Sequence, residues 1–297
     1  MQQKIVLVTG KGGVGKSSVA AGLALKEARK GRRVLLAELG ERSYFSELLP
    51  SGPMEISYQA KAIESGLELV KWDGESCLKE YLFHYIPIRR VVDLFFENPV
   101  MKALVQAAPA LKELAILGKA TSGKRNVGPA FEYDVVVIDS YATGHFQALV
   151  RAPQGMAEAI GFGPMGEQSR SIERWICDPE FCQIVIVALP EELPVVEALE
   201  LSESVQADLG QKVEFVLNKV WPKTWRAEDI QALGSLQSLE WPQGLSDFRE
   251  VLAQSLGQQR QYLDQLSTRG RVHSLPWLLE PSSWGLLKSL SQQLEDL

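Results

Sequence analysis

Short runs of β-branched and aliphatic residues recur along the chain at Ile5–Thr9, Val34–Glu38, Asp134–Asp139, Ile184–Leu189 and Val213–Asn218, with a weaker one at Val272–Leu275. These runs are almost continuously apolar, with little polar alternation. That pattern marks strands buried on both faces, as in a parallel sheet covered by helices. Most are followed by a helical segment. Ser17 to Lys30 reads as the first crossover helix, because its Ala- and Leu-rich interior favours helix and Gly31 stands where a left-handed cap belongs. Such alternation predicts an α/β fold, a doubly wound and mainly parallel sheet.

The rhythm breaks between Ser51 and Pro129, where at most one short strand, Leu67–Trp72, is expected. The rest is helical in pattern and apolar in places: Ile86, Val91, Val92, Leu94, Phe95, Phe96, Val100, Met101, Leu104, Leu111, Leu114 and Leu117. Residues 51–129 therefore read as an inserted, mainly helical subdomain within one domain spanning 1–297. Gln-rich stretches at Gln258–Gln261 and Gln292–Gln293 fall in helical patterns and read as solvated faces.

Composition narrows the function classes. Hydrophobic residues are 45% and charged residues 23%, enough apolar material for a real core. Acidic residues outnumber basic ones, 37 to 31, for a net charge of −6. That balance argues against a protein that holds nucleic acid by its phosphates. Three cysteines make no disulfide framework, so a reducing compartment is expected. The apolar run after Met1 is too short for a secretory leader, and no run approaches the eighteen or so residues of a membrane span. The expected setting is the cytoplasm.

Gly10-Lys11-Gly12-Gly13-Val14-Gly15-Lys16-Ser17, with Ser18 following, matches G-x-x-x-x-G-K-[ST] between a strand and a helix. The glycines let backbone N–H groups curl around phosphate oxygens, and the helix N-terminus adds its positive dipole end. Lys16 is placed to reach the β- and γ-phosphates of ATP, and the Ser17 hydroxyl is a hard ligand for Mg²⁺. A tight turn using glycine for geometry alone is the plainer reading, but a chance match to the whole pattern is rare and rarer still between a strand and a helix. The strand Tyr133–Asp139 ends in a carboxylate, and Asp139 there can hold a Mg²⁺-bound water.

The extra Lys11 ahead of the glycines resembles the deviant Walker A loop of the signal-recognition and MinD-like branch of P-loop NTPases. In that branch the lysine reaches across a dimer interface to the partner's nucleotide. Asp139-Ser140-Tyr141-Ala142-Thr143-Gly144-His145 resembles the D-x-x-P/A-T-G-H signature of the ArsA and Get (TRC)-like ATPases, the arsenite-pump and tail-anchored-protein targeting relatives. Leu189–Val195 with Glu197-Ala198-Leu199, and Pro109–Gly118, are similar to further segments of that family. The resemblance implies that Asn218, followed by Lys219, contacts adenine, and that Leu275-Pro276-Trp277 closes the base pocket. It implies a homodimer or a heterodimer with a paralogue, and an unknown protein client, an apolar helix being one form. The membrane would be involved only indirectly. His145 then belongs to a switch segment, since three scattered histidines make no metal site.

The sequence also departs from the family. After the second strand the family shows D-P-A-H, whose Asp orients the attacking water, whereas this chain reads Ala37-Glu38-Leu39-Gly40-Glu41-Arg42. Gly40 falls at the Asp position, leaving Glu38 or Glu41 as substitute carboxylates, or both as structural residues. A slow ATP hydrolase is therefore one expectation. Cys177 and Cys182 lack the C-x-x-C zinc spacing, and with Cys77 they do not match the pump's thiols. The leading reading is a Mg-ATP-dependent dimeric switch that captures or releases a partner. The alternatives are a nucleotide-responsive binding module with little hydrolysis, or the catalytic subunit of an arsenite or other anion pump. A MinD-type division ATPase is disfavoured, because Ser282–Leu297 lacks a basic amphipathic face.

Overall fold

The computed structural model describes residues 3–40, 43–49, 52–86, 88–99, 109–160, 162–222, 225–233, 243–295 and 297. Its described strands are β1 (Lys4–Gly10), β2 (Val34–Leu39), β3 (Lys61–Glu64), β4 (Leu67–Trp72), β5 (Val135–Asp139), β6 (Cys182–Ala188), β7 (Glu214–Val220) and β8 (Arg271–Pro276). They form one sheet in the order β3-β4-β2-β5-β1-β6-β7-β8. All neighbours run parallel except β3, which pairs antiparallel with β4 at the edge. This is the doubly wound α/β arrangement.

Alternation inside the strands divides the core. Ile5 and Leu7 of β1 face one side with the helices Gly74–Tyr85, Pro109–Ala120, Thr143–Ala159, Pro164–Ile176 and Glu192–Leu209. Val6 and Val8 face the other, against Lys16–Arg29 and Ser283–Gln293. The first crossover helix ends where the sequence places it, with Gly31 at φ +79°. β1 lies between β5 and β6, the strands that extend the sheet in opposite directions. The loop after β1 therefore opens at the switch point, where doubly wound sheets hold ligands.

Residues 51–129 supply two strands to this sheet, one more than the sequence pattern suggests, because β3 folds back on β4 as a short, half-buried edge. Their apolar residues split. Val92, Phe96, Leu114 and Leu117 are buried in the core, whereas Ile86 and Leu94 are exposed. Val100, Met101 and Leu104, and the side chains of Val91 and Phe95, lie outside the described residues. Gln259 is not solvated. It is buried, and its amide holds the backbone of Trp221, accepting from the N–H at 2.7 Å and donating to the C=O at 3.3 Å.

Candidate functional site

The loop from Gly10 to Ser17 leaves β1 and enters the helix Lys16–Arg29 through Gly15, whose φ is +94°. A Cβ on Gly15 would sit 2.4 Å from the Asn218 side-chain nitrogen, so conformation and space both demand glycine. The loop borders a cavity of about 530 Å³, lined by Gly13, Gly15, Lys16, Ser17, Ser18, Tyr44, Asn218, Lys219, Pro276, Trp277 and Leu278, among others. That volume is in the range of small-molecule sites. Residues far apart in sequence, from the loop, β7 and the end of β8, thus share one cavity.

The polar groups around the loop hold one another. Lys16 Nζ donates to the Lys11 carbonyl at 3.0 Å, and burial lowers the Lys16 pKa against the opposing pull of Asp139. Asn218 Nδ2 donates to the Val14 carbonyl at 2.9 Å, while its Oδ1 accepts from the Lys219 N–H. Asn218 is buried and braces the loop, although it also borders the cavity. Lys11 Nζ is ion-paired with Glu197.

Below the loop lie two buried carboxylates. Asp139 ends β5 and Glu38 nears the end of β2, and the two are register partners across the parallel pair. Burial pushes the Asp139 carboxyl up to about 6. Glu38 adds to the rise, while a hydrogen bond from Ser17 and the charge of Lys16 oppose it. Glu38 is also raised, first by burial, against hydrogen bonds from Ser43, Tyr44 and Phe45. One Glu38 oxygen takes the Tyr44 N–H; Glu38 Oε2 and Asp139 Oδ1 are buried with no hydrogen-bond partner. Two orphaned carboxylate oxygens, one on the Asp139 carboxyl that Ser17 hydrogen-bonds, are costly alone, and they fit a divalent cation with its water shell.

Gly40 has φ +127°, a backbone state that strains any side-chain-bearing residue, so an aspartate does not fit there without a different loop. Glu41 lies outside the described residues. The segment Asp139–His145 crosses from β5 into the helix Thr143–Ala159, tied to β1 by Thr9 Oγ1 donating to the Tyr141 carbonyl at 2.9 Å. His145 is exposed, its ring 5.9 Å from that of Tyr141. Glu113, from the helix Pro109–Ala120, faces both residues electrostatically.

A family model described as anion-transporting ATPase matches residues 3–163, a span running from β1 past the Asp139–His145 segment. The chain belongs to the anion-transporting ATPase family. An ATPase named BagA from Mycobacterium tuberculosis is 31% identical over 214 residues, covering 68% of this chain and 61% of the relative. An arsenical pump-driving ATPase from Escherichia coli is 27% identical over 240 residues, covering 75% of this chain and 40% of the relative. An ATPase ASNA1 homolog from Plasmodium chabaudi chabaudi is 24% identical over 158 residues, 53% of this chain and 38% of that protein. The chain thus spans about three-fifths or less of each of these relatives.

Against the family pattern, three features were not assigned from sequence. Glu197 was visible only as part of a similar segment, without a role. Tyr44 has no motif, yet its hydroxyl lies 3.2 Å from Ser18 Oγ at the cavity mouth. The Trp221–Trp277 ring contact, at 5.9 Å between centroids, continues the cavity wall into an aromatic cluster with Trp225. The cysteines stand apart from this site: Cys77 and Cys182 are buried, with thiols pushed up to about 12 by burial, and Cys177 is half-buried. Among the described residues no group of three or more His, Cys, Asp or Glu side chains is placed to hold a metal ion, and no helix is long and apolar enough to cross a membrane.

Proposed function

We propose that the chain is a Mg·ATP-dependent hydrolase that works as a dimeric switch, coupling its nucleotide state to capture or release of a partner. The observation that carries this reading is the pair of orphaned buried oxygens, Asp139 Oδ1, on the carboxyl that Ser17 hydrogen-bonds, and Glu38 Oε2 on its register neighbour. In this reading the Ser17 hydroxyl holds magnesium directly and Asp139 holds it through a water. When bound, the ion neutralises charge on the β- and γ-phosphates.

The protein's own groups do the rest. Lys16 leaves the Lys11 carbonyl and takes the phosphates, while loop N–H groups from Gly10 to Ser18 cradle them. Asn218, Lys219 and Pro276, with Trp277, receive the base. Glu38, near the end of β2 and with one oxygen free of hydrogen bonds, orients the attacking water. Lys11 crosses to the nucleotide of the other subunit and stabilises charge on the transferring phosphoryl. Coupling to the helices after β4 runs through the Asp139–His145 segment and its neighbour Glu113. The setting is the cytoplasm, where ATP and free thiols coexist.

A second reading, a nucleotide-responsive module with little hydrolysis, is favoured by one observation: Gly40 in place of a carboxylate, in a backbone state suited to glycine. Steady-state ATP turnover, measured with and without magnesium and on Lys16→Ala, decides between them. Magnesium-dependent turnover lost in Lys16→Ala is expected. Tight ATP binding without turnover leaves the module reading, and no ATP binding by calorimetric titration defeats both. Arsenite added to the same assay tests the pump-subunit role that the name of the Escherichia coli relative raises, with stimulation as its signature.

A further inference from the structure

Lys11 is ion-paired with Glu197, a residue with no part in the machinery described above. Each side chain keeps about a third of its exposure, 34% and 33%. Glu197 stands on the first turns of the helix Glu192–Leu209, which follows β6, the neighbour of β1. Leu193, one turn earlier on the same face, is 65% exposed, and the adjacent Val196 is 42% exposed. The pair therefore sits at the rim of a small uncovered apolar patch, beside the mouth of the phosphate loop. Through its own carbonyl Lys11 also receives Lys16 Nζ at 3.0 Å, so one residue is held at both ends.

This arrangement sets up a competition. Lys11 cannot serve a second subunit's phosphates while its ammonium is spent on Glu197 of its own chain. Phosphate arriving at the loop draws Lys16 off the Lys11 carbonyl, which loosens one of the two holds. Exposed ion pairs are weak, so the second hold is releasable when the partner's triphosphate offers more charge.

We infer that Glu197 is a positioning residue that parks Lys11 in the resting subunit and sets the threshold for nucleotide-driven pairing of two copies of this chain. This inference rests on the dimeric-switch reading. Removing the Glu197 charge frees Lys11 in each subunit. For a pair this exposed the gain is about two- to fivefold per subunit. Two latches open per dimer, so the dimer dissociation constant tightens by the square of that factor, about four- to 25-fold.

The test is sedimentation equilibrium of the full-length chain with a non-hydrolysable ATP analogue plus magnesium, and with ADP. Wild type, Glu197→Gln and Glu197→Asp are compared, and nucleotide affinity is titrated on dilute, monomeric samples of each. The expected result is that Glu197→Gln pairs more tightly with the analogue while its nucleotide affinity and melting temperature stay at wild-type values. Glu197→Asp keeps the charge within reach of the flexible lysine stem and returns the wild-type threshold. The inference is overturned if the analogue pairs wild type but Glu197→Gln pairs no more tightly, or if Gln and Asp behave alike. A wild-type mass that does not respond to nucleotide defeats the dimeric-switch reading itself, and the inference with it.

Discussion

Replacing Asp139 with Asn probes the candidate metal site before any nucleotide is added. The Asp139 carboxyl is pushed from its ordinary 3.8 up to about 6, mainly by burial. A carboxyl moved that far carries ~3 kcal/mol of preference for its protonated form. Because the folded-state value is raised, this contribution to stability is complete below about pH 4 and is lost as the pH climbs through about 6. Asparagine has no charge to bury, and its side-chain oxygen still accepts from Ser17. Without nucleotide, Asp139→Asn is therefore expected to be more stable than wild type by up to ~3 kcal/mol above about pH 7, with no gap below about pH 4. With an unfolding entropy of about 2.1 cal/mol/K per residue, that is about 5 °C in Tm for a chain of this length. Mg·ATP reverses the order, since only wild type keeps the anionic oxygen that the ion's water shell needs. Calorimetric melts at three pH values, with and without Mg·ATP, read both effects. An Asp139→Asn protein that is less stable at high pH without nucleotide, or a gap that ignores pH, would refute the argument.

Lys16→Ala is expected to abolish ATP binding in calorimetric titration, whereas Lys11→Ala keeps the affinity within about twofold and loses turnover; equal losses of affinity would remove the distinction between the two lysines. Glu38→Gln keeps an oxygen for the Tyr44 N–H but loses the charge, so turnover should fall about a hundredfold at unchanged affinity, and full activity would exclude Glu38 as the base. Gly40→Asp should lower Tm by a few degrees and not raise turnover, because it forces a side chain onto a φ of +127° at a cost of about 1–2 kcal/mol. Leu117→Ser, at a site 1% exposed, should cost about 3–5 kcal/mol, whereas Leu94→Ser, at 67% exposed, should change stability by under about 0.5 kcal/mol; similar losses at both would contradict the division of this segment into core and surface.

The phosphate loop and the parallel sheet were legible because each is written locally. Uninterrupted apolar runs such as Val135–Ile138 have few other places to go than the middle of a covered sheet, and the loop's glycines, Lys16 and Ser17 act within eight residues. The edge strand Lys61–Glu64 was not legible, since its half-buried pattern becomes a strand only when Leu67–Trp72 offers it a ladder. The same limit applied to Gln259, which in sequence is one of several glutamines and in the fold clamps the Trp221 backbone. Whether an apolar residue of the helical stretch is core or surface, as with Leu117 and Leu94, depends on which helix face meets Leu114 and the sheet. Charge pairing depended most on the fold. Glu38 and Asp139 are about a hundred residues apart in sequence, and Glu38 adds to the rise of the Asp139 pKa because β2 and β5 are neighbours in register. Lys11 and Glu197 meet because β6 returns beside β1. Local sequence specifies backbone chemistry and periodicity. Desolvation and Coulomb interactions act through space, so which charges stand alone and which are held was decided only when the sheet brought its strands together.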